Sequence, residues 1–246
     1  MTAGPRTARP GFSLVELLVA VTVIAILAAL TLAAFTPMRS IAQEAYCANS
    51  LRQLGMATGM YLGDHQNKFF AYEKAVPGGV LWYFGFETST SLSQPEGART
   101  VDETQSPLYP YINQVGGVEV CPSFPYGSPL WERKYKGASW GYGLNTYLSN
   151  ENILTLRPSL VMLFGDCAQV DTFQAPASPG NPMIEEFYMI QNTYLTVHFR
   201  HGNHANILFL DGHVESMSMY PGTLDTRLPQ ENIGRITPVG SMQYLQ

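Results

Sequence analysis

The sequence predicts an α+β protein, in which a long N-terminal helix packs on a C-terminal domain built around an antiparallel β-sheet. Residues 14–35 are almost entirely apolar and carry one charge, Glu16. Apolar residues then recur at spacings of three and four over residues 41–61, which is typical of a helix with one buried stripe. Residues 65–246 are rich in aromatic residues, glycine and proline, which favours short strands joined by loops.

The apolar run is long enough to cross a membrane. At about 1.5 Å per residue, residues 14–35 make a helix of roughly 33 Å, against a hydrocarbon core of about 30 Å. Thr22 and Thr31 can donate to helix carbonyls, so they cost little there. Arg6 and Arg9 precede the run, and basic residues favour the cytoplasmic side. We therefore expect a single-pass protein with its N-terminus inside and the bulk of the chain outside.

The helical pattern resumes after Pro37, a residue that kinks or ends a helix because it removes one hydrogen bond and clashes with the preceding turn. The apolar stripe beyond it consists of Ile41, Ala45, Ala48, Leu51, Leu54, Ala57 and Tyr61. Gly63 and Asp64 are a plausible stop. We thus predict a helix over residues 12–64, with its transmembrane part at about 14–35.

A single soluble domain is predicted for residues 65–246. The whole chain carries 14 basic and 19 acidic residues, a net charge of −5, and it has no basic stripe, which argues against nucleic-acid binding. Residues 87–106 and 174–182 read as loops because they are polar or proline-rich. The predicted strands are residues 80–86, 159–164, 194–199, 205–210 and 213–219.

The last two strands flank Asp211 and Gly212. An Asp-Gly pair between β-rich runs predicts a two-residue hairpin turn, in which both central residues have positive φ. Both faces of the preceding strand, residues 205–210, are mostly apolar, so we expect that strand to lie inside the sheet.

The N-terminal sequence Gly11-Phe12-Ser13-Leu14-Val15-Glu16 resembles the cleavage and methylation signal of type IV prepilins and type II secretion pseudopilins. This resemblance implies a pilin-like fold and a structural rather than enzymatic role in a pilus-like or pseudopilus filament. It implies that a prepilin peptidase cuts after Gly11 and methylates Phe12. It also implies that Glu16 pairs with the N-terminal amine of a neighbouring subunit, which would offset the cost of burying each charge alone. The expected location is the bacterial inner membrane, with the C-terminal domain periplasmic, or extracellular after assembly.

Three other interpretations remain open. Residues 1–11 could begin an ordinary secretory signal peptide cut near Ala33, although the apolar run exceeds the usual ~7–15 residues. The run could also be a plain signal anchor that never assembles. A third alternative is a membrane-anchored binding module that uses the prepilin-type helix only as its anchor.

A histidine motif near the C-terminus could serve such a module. His201 and Asp211, with nine residues between them and Gly212 after, resemble the His-x9-Asp-Gly signature of a large bacterial family of pilin-like proteins. Histidine with carboxylate suits zinc or a similar ion. The predicted metal ligands are His201, His204, Asp211 and His213, with Glu215 as a neighbour. In the alternative, favoured interpretation, Asp211 accepts backbone N–H bonds in its turn, His201 packs against a neighbouring loop, and no cofactor is bound.

Three cysteines lie outside the cytoplasm in this topology, where disulfides are permitted. We favour a Cys47–Cys121 disulfide, which would join the helix to the soluble domain. A Cys121–Cys167 disulfide is the competitor, and three free buried thiols are the remaining alternative.

Overall fold

The computed structural model describes residues 12–112, 120–137 and 139–245, except the side chains of residues 32–37. The chain forms two compact units, Met1–Ala42 and Gln43–Gln246. Helix α1 (Leu14–Asp64) contributes to both, so the second unit consists of the last part of this helix and all the β-structure.

Helix α1 is 51 residues long and ends at Asp64, where the sequence predicted its stop. It continues through Pro37, so the segments on either side of this proline belong to one helix, as in the helix predicted over residues 12–64. A proline removes one backbone hydrogen bond. Here, strong helix-forming sequence on both sides supplies the remaining bonds, and the helix propagates through the single defect.

The rest of the chain is mainly short strands. They are β1 (Glu73–Val76), β2 (Gly79–Trp82), β3 (Gly85–Thr88), β4 (Trp131–Glu132), β5 (Tyr142–Asn145), β6 (Met162–Asp166), β7 (Gln169–Asp171), β8 (Met183–Glu185), β9 (Met189–Ile190), β10 (Val197–His198), β11 (His204–Phe209), β12 (Val214–Ser218) and β13 (Ile233–Gly234). The short helices are α2 (Ser89–Leu92) and α3 (Tyr109–Ile112), with 3₁₀ turns at Glu103–Gln105, Thr146–Leu148, Ile153–Thr155 and Pro229–Glu231.

The strands form four sheets among the described residues. The largest has the order β12-β11-β6-β5-β9 and is antiparallel except for the parallel pair β5–β9. A second sheet has the order β4-β8-β7, with β4 and β8 parallel. The meander β1-β2-β3 and the pair β10-β13 complete the set. The predicted α+β, pilin-like organisation is therefore confirmed, although its sheets are mixed rather than purely antiparallel.

The last part of α1 packs on the five-stranded sheet. Its buried side chains, among them Leu51 and Leu54, share one core cluster with Leu144, Phe164 and Leu208 of the sheet. Helix and sheet approach closely at a glycine: a Cβ on Gly55 would lie 3.2 Å from the Leu208 side chain. Only the C-terminal part of the predicted stripe is buried, since Ile41 and Ala45 are exposed.

Strand β11 is internal, as its two apolar faces predicted. Leu208 faces the core beneath α1, whereas Ile207 and Phe209 belong to a second core cluster on the other face of the sheet. The hydrogen-bonded neighbours of β11 are β6 and β12. Burial on both faces explains why this strand has no alternation of apolar and polar residues.

Two predictions about the meander region are corrected. Residues 80–86 do not form one strand, because Tyr83 and Phe84 leave the ladder between β2 and β3 and are buried in the core. Residues 87–106 are not simply an exposed loop: Glu87 is fully buried and accepts from Arg99 Nε and Nη2, each at 2.8 Å. Long-range ion pairing of this kind has no local sequence signature.

Candidate functional sites: the N-terminal helix and the histidine motif

The start of α1 carries a capping box. The Ser13 hydroxyl accepts from the Glu16 backbone N–H at 3.2 Å, and the Ser13 backbone N–H donates to Glu16 Oε2 at 2.8 Å. The two residues thereby satisfy two of the N–H groups that a helix start leaves unpaired. A carboxylate within the first turn also complements the positive end of the helix dipole. Glu16 is therefore positioned one turn from Phe12, where the resemblance places a new amino terminus.

The helix segment Leu14–Thr31 is apolar and fully exposed in the single chain, with a mean hydropathy of 2.6. Its two hydroxyls donate to the helix backbone, as predicted: Thr22 Oγ1 bonds Val19 O at 2.8 Å, and Thr31 Oγ1 bonds Ala28 O at 2.9 Å. Length and composition suit a bilayer-crossing helix. An exposed apolar surface of this size needs lipid or other helices to cover it.

The second unit carries one disulfide among its described residues, between Cys47 of α1 and Cys121, with a Cα–Cα distance of 5.4 Å. This is the pairing that the sequence analysis favoured over Cys121–Cys167. Cys167 is free and buried, and burial raises the pKa of its thiol to about 12, so it is not a reactive thiolate. His201 Nε2 lies 3.8 Å from Cys121 Sγ.

His201 is held by a tight turn that the sequence analysis missed. The backbone N–H groups of His201 and His204 each donate to the other residue's carbonyl at 3.0 Å, and Gly202 and Asn203 between them have φ of 58° and 68°. Two positive φ values in a two-residue loop define a type I′ turn. The Gly-Asn pair is the signal that could have located it.

The partner of His201 is Asp166, a fully buried acid at the end of β6. Asp166 Oδ2 lies 3.2 Å from His201 Nε2 and accepts from the Asn206 backbone N–H at 2.7 Å. Its other oxygen, Oδ1, accepts from Arg200 Nη2 at 2.5 Å. The carboxylate thus joins β6 to Arg200 and His201, at the start of the type I′ turn, and to Asn206 of β11, and its charge is compensated by hydrogen bonds and a cation.

Arg200 is itself enclosed. Its guanidinium lies over the rings of Phe124 and Tyr142, at 5.4 Å and 5.7 Å from their centroids, and donates to Gly141 O at 2.5 Å. Its Nη1 lies 3.2 Å from His198 Nδ1, which fits a neutral imidazole that accepts there. Burial, followed by the charge of Arg200, holds the pKa of His198 well below its usual value.

Asp211 and His213 lie at the opposite end of β11. Asp211 Oδ1 accepts from the His213 backbone N–H at 3.1 Å and lies 2.5 Å from His213 Nδ1. Their turn is not the two-residue type predicted: Gly212 has a φ of 90° and Asp211 is not in the positive-φ region. The loop is three residues long, closed by a bond from the Gly212 N–H to Phe209 O and one from the Phe209 N–H to His213 O. Glycine at its last position supplies the left-handed conformation that such a loop requires.

The structure does not bring the predicted metal ligands His201, His204, Asp211 and His213 together. The six residues of β11 separate the first two from the last two by about 17 Å. His201 is committed to Asp166, and His204 is exposed, with Nδ1 near Gly202 O. This arrangement matches the alternative interpretation, in which both ends of the motif are structural.

Within the described residues, the one group of three His, Cys, Asp or Glu side chains with all ligand atoms within 4.8 Å is Cys47, Cys121 and His201. Its two sulfurs are joined in the disulfide, whereas zinc requires thiolates. Asp166 and Arg200 are the central residues that sequence reasoning missed. Their signals were an acid ending an apolar strand and an arginine directly before the motif histidine.

Residues 6–32 match the family model for the prokaryotic N-terminal methylation motif. The prediction of a prepilin-type signal is therefore confirmed, and the α+β organisation of the chain is pilin-like. No curated protein and no solved structure matches it significantly. Since the matched residues end at 32, the His-x9-Asp-Gly motif remains a resemblance. The motif and the one apolar helix of membrane length found in the described part of the chain are consistent with a membrane-anchored, single-pass protein.

Proposed function

We propose that this chain is a structural subunit of a pilus-like or type II secretion pseudopilus filament. The observation that carries the proposal is the methylation motif over residues 6–32, placed on an exposed apolar helix with one carboxylate in its first turn. A filament of packed subunits would cover this apolar surface with neighbouring helices. Such a role needs no catalytic group.

In this proposal a prepilin peptidase removes residues 1–11 and methylates Phe12. Gly11, on the leader side of the cut, lies outside the described residues. The basic leader would remain in the cytoplasm of a bacterial cell, and the C-terminal domain would be periplasmic, or extracellular after assembly. The Cys47–Cys121 disulfide supports that orientation, because disulfides persist in oxidising compartments.

Glu16 would set the register between neighbouring subunits. Its capping bond with Ser13 occupies only part of the hydrogen-bonding capacity of a carboxylate, which offers about four acceptor positions. The N-terminal ammonium of a neighbouring subunit can donate to one of the remaining acceptor positions. A carboxylate and an ammonium each cost several kcal/mol to bury alone, so their pairing favours the one stagger that brings them together.

Mass spectrometry of the mature N-terminus tests processing. We expect a first peptide that begins at Phe12 and is one methyl group heavier than its sequence requires. A chain that retains Met1, or that begins near Ala33, would contradict the proposal and favour the anchor or signal-peptide interpretation.

The assembly role is tested separately with Glu16→Ala. We expect normal cleavage after Gly11 but strongly reduced recovery of the variant in sheared or cross-linked filaments, because the register contact is lost. Thr22→Val is the matched control: it also removes a polar group from the apolar segment, but one that bonds only its own helix. Equal incorporation of the two variants would remove the register argument.

A further inference from the structure

A second cluster of charged groups lies away from the histidine motif, on the sheet β4-β8-β7. Glu132 of β4 and Glu185 of β8 are paired across the parallel strands, and Gln169 of β7 is paired with Glu185 from the other side. Paired residues in a sheet share a face, as do residues two apart along a strand, so Asp171 lies on the same face. Three carboxylates therefore project from one face of a small sheet.

This face is buried. Asp171 and Glu185 have no exposed surface, and Glu132 is 5% exposed. Glu96, from the segment before Arg99, adds a fourth carboxylate, and its side chain is 2% exposed. The charge of Glu96 contributes to raising the pKa of Glu132, which places the two carboxylates in one electrostatic environment. We call Glu96, Glu132, Asp171 and Glu185 the acidic face.

The described residues leave much of the acidic face without partners. Lys134 Nζ donates to Glu185 Oε1 at 2.8 Å, and Gln169 donates to the same oxygen. Asp171 Oδ1 accepts from two backbone N–H groups. Within the described ranges, however, neither oxygen of Glu132 has a hydrogen-bond partner, nor does the second oxygen of any other member of the acidic face. Buried polar atoms are almost always satisfied, so these oxygens indicate a missing partner.

The charge count indicates what kind of partner is missing. The acidic face and Glu87 bring five negative charges, and Lys134 and Arg99 bring two positive charges, which leaves −3. Arg227 also faces Asp171, but it is paired with Asp225 at 2.6 Å. Burial, followed by the charges of Asp171 and Glu185, raises the pKa of Glu132 to about 7. One proton removes only one charge, and uncompensated buried charges are costly.

A cavity borders one member of the acidic face, Glu96. It has a volume of about 370 Å³, and its lining is Leu92, Gln94, Pro95, Glu96, Arg99, Gln174 and Ala175. The cavity is large enough for a hydrated ion.

We propose that the acidic face is a binding site for a divalent cation of the calcium type. Hard cations take carboxylate oxygens, and calcium accepts six to eight oxygen ligands at about 2.3–2.6 Å in adaptable geometry. Among the described residues, no three side chains of the acidic face offer carboxylate oxygens that all lie within 4.8 Å of one another. Binding would therefore draw these side chains closer around the ion, which the adaptable coordination geometry of calcium allows.

The test uses the full-length chain in detergent, stripped with a chelator. Calcium chloride is titrated while the thermal midpoint is followed, and terbium binding is followed by luminescence sensitised by Trp131, the residue before Glu132. We expect saturable terbium binding that calcium displaces, and a midpoint that rises with calcium. Absence of saturable binding to the native chain would overturn the proposal.

Variants separate this site from exposed acids. Glu132→Gln keeps the shape of the side chain and removes its charge, and we expect at least about tenfold weaker calcium binding. Asp171→Asn is the second test, should the first variant fail to fold. Glu215→Gln, on the exposed face of β12, is the matched control and should bind as the native chain does. Unchanged affinity in both test variants would refute the assignment.

Discussion

The Cys47–Cys121 disulfide should be the largest single covalent contribution to the stability of the second unit. It closes a loop with a sequence separation of 74 residues between α1 and the segment before β4. In the chain-entropy model, a loop of that length reduces the unfolded-state entropy by an amount worth about 4.5 kcal/mol at 25 °C. Measured losses are usually smaller, typically about 2–4 kcal/mol, because native strain and residual unfolded structure reduce the effect.

The assay is urea unfolding of the full chain in detergent, with tryptophan fluorescence as the signal. Trp82, Trp131 and Trp140 all lie in the unit Gln43–Gln246, so the signal reports on that unit. We expect the double variant Cys47→Ala, Cys121→Ala to lose about 2–4 kcal/mol in the free energy of unfolding.

Two comparisons make the result decisive. Reducing the native chain should reproduce the loss seen in the double variant. Cys167→Ala, the control, removes a buried sulfur that forms no disulfide and should cost only about 1 kcal/mol. If the double variant were no less stable than this control, the loop-closure argument would fail.

Three further predictions concern the same unit and use the same unfolding assay. Asp166→Asn should lower the free energy of unfolding by about 3–5 kcal/mol, because it leaves Arg200 buried without its anion. Asp211→Asn, in the exposed turn, should lower it by less than about 1 kcal/mol. Similar losses in the two variants would contradict the central role of Asp166. The free energy of unfolding should fall as pH drops below about 6.5, because unfolded His198 binds a proton that the folded state disfavours. This group contributes at most about 1.4 kcal/mol per pH unit. His198→Gln should therefore flatten the dependence of the unfolding free energy on pH, whereas the exposed-site control His213→Gln should not. Gly59→Ala should stabilise α1 by up to about 1 kcal/mol, because nothing lies within 4 Å of its new Cβ. Gly55→Ala should gain less stability, because its new Cβ must displace the Leu208 side chain. Equal gains would show that helix–sheet packing at Gly55 is loose.

The histidine motif illustrates how far local patterns reach. The nine-residue spacing between His201 and Asp211 is visible in the sequence, but β11 holds the two residues at opposite ends of a strand. The partner that matters to His201 is Asp166, which is 35 positions earlier and becomes a neighbour only because β6 and β11 pair. Spacing along the chain therefore identified His201 as an important residue but grouped it with Asp211, which lies at the other end of β11.

The two hairpin turns give the same lesson on a smaller scale. Asp211-Gly212 and Gly202-Asn203 are both short glycine-containing pairs beside β-rich runs. The type I′ turn is at the second pair, Gly202-Asn203. At the first pair, the ladder of β11 with β12 places Leu208 opposite Val214, and this register requires a longer loop. Strand register, which depends on the core, selected the turn type.

The amino-acid sequence alone determined the features that depend on neighbours along the chain: the methylation motif, the apolar membrane-length helix, the end of α1 at Asp64 and the burial of β11 on both faces. Periodicity and capping act over one or two turns, so they can be read without coordinates. Tertiary structure decided which charges are paired: Arg200 with Asp166, Arg99 with Glu87, and the acidic face with too few cations. Those outcomes depend on the burial of groups far apart in sequence, where low dielectric makes a missing partner costly.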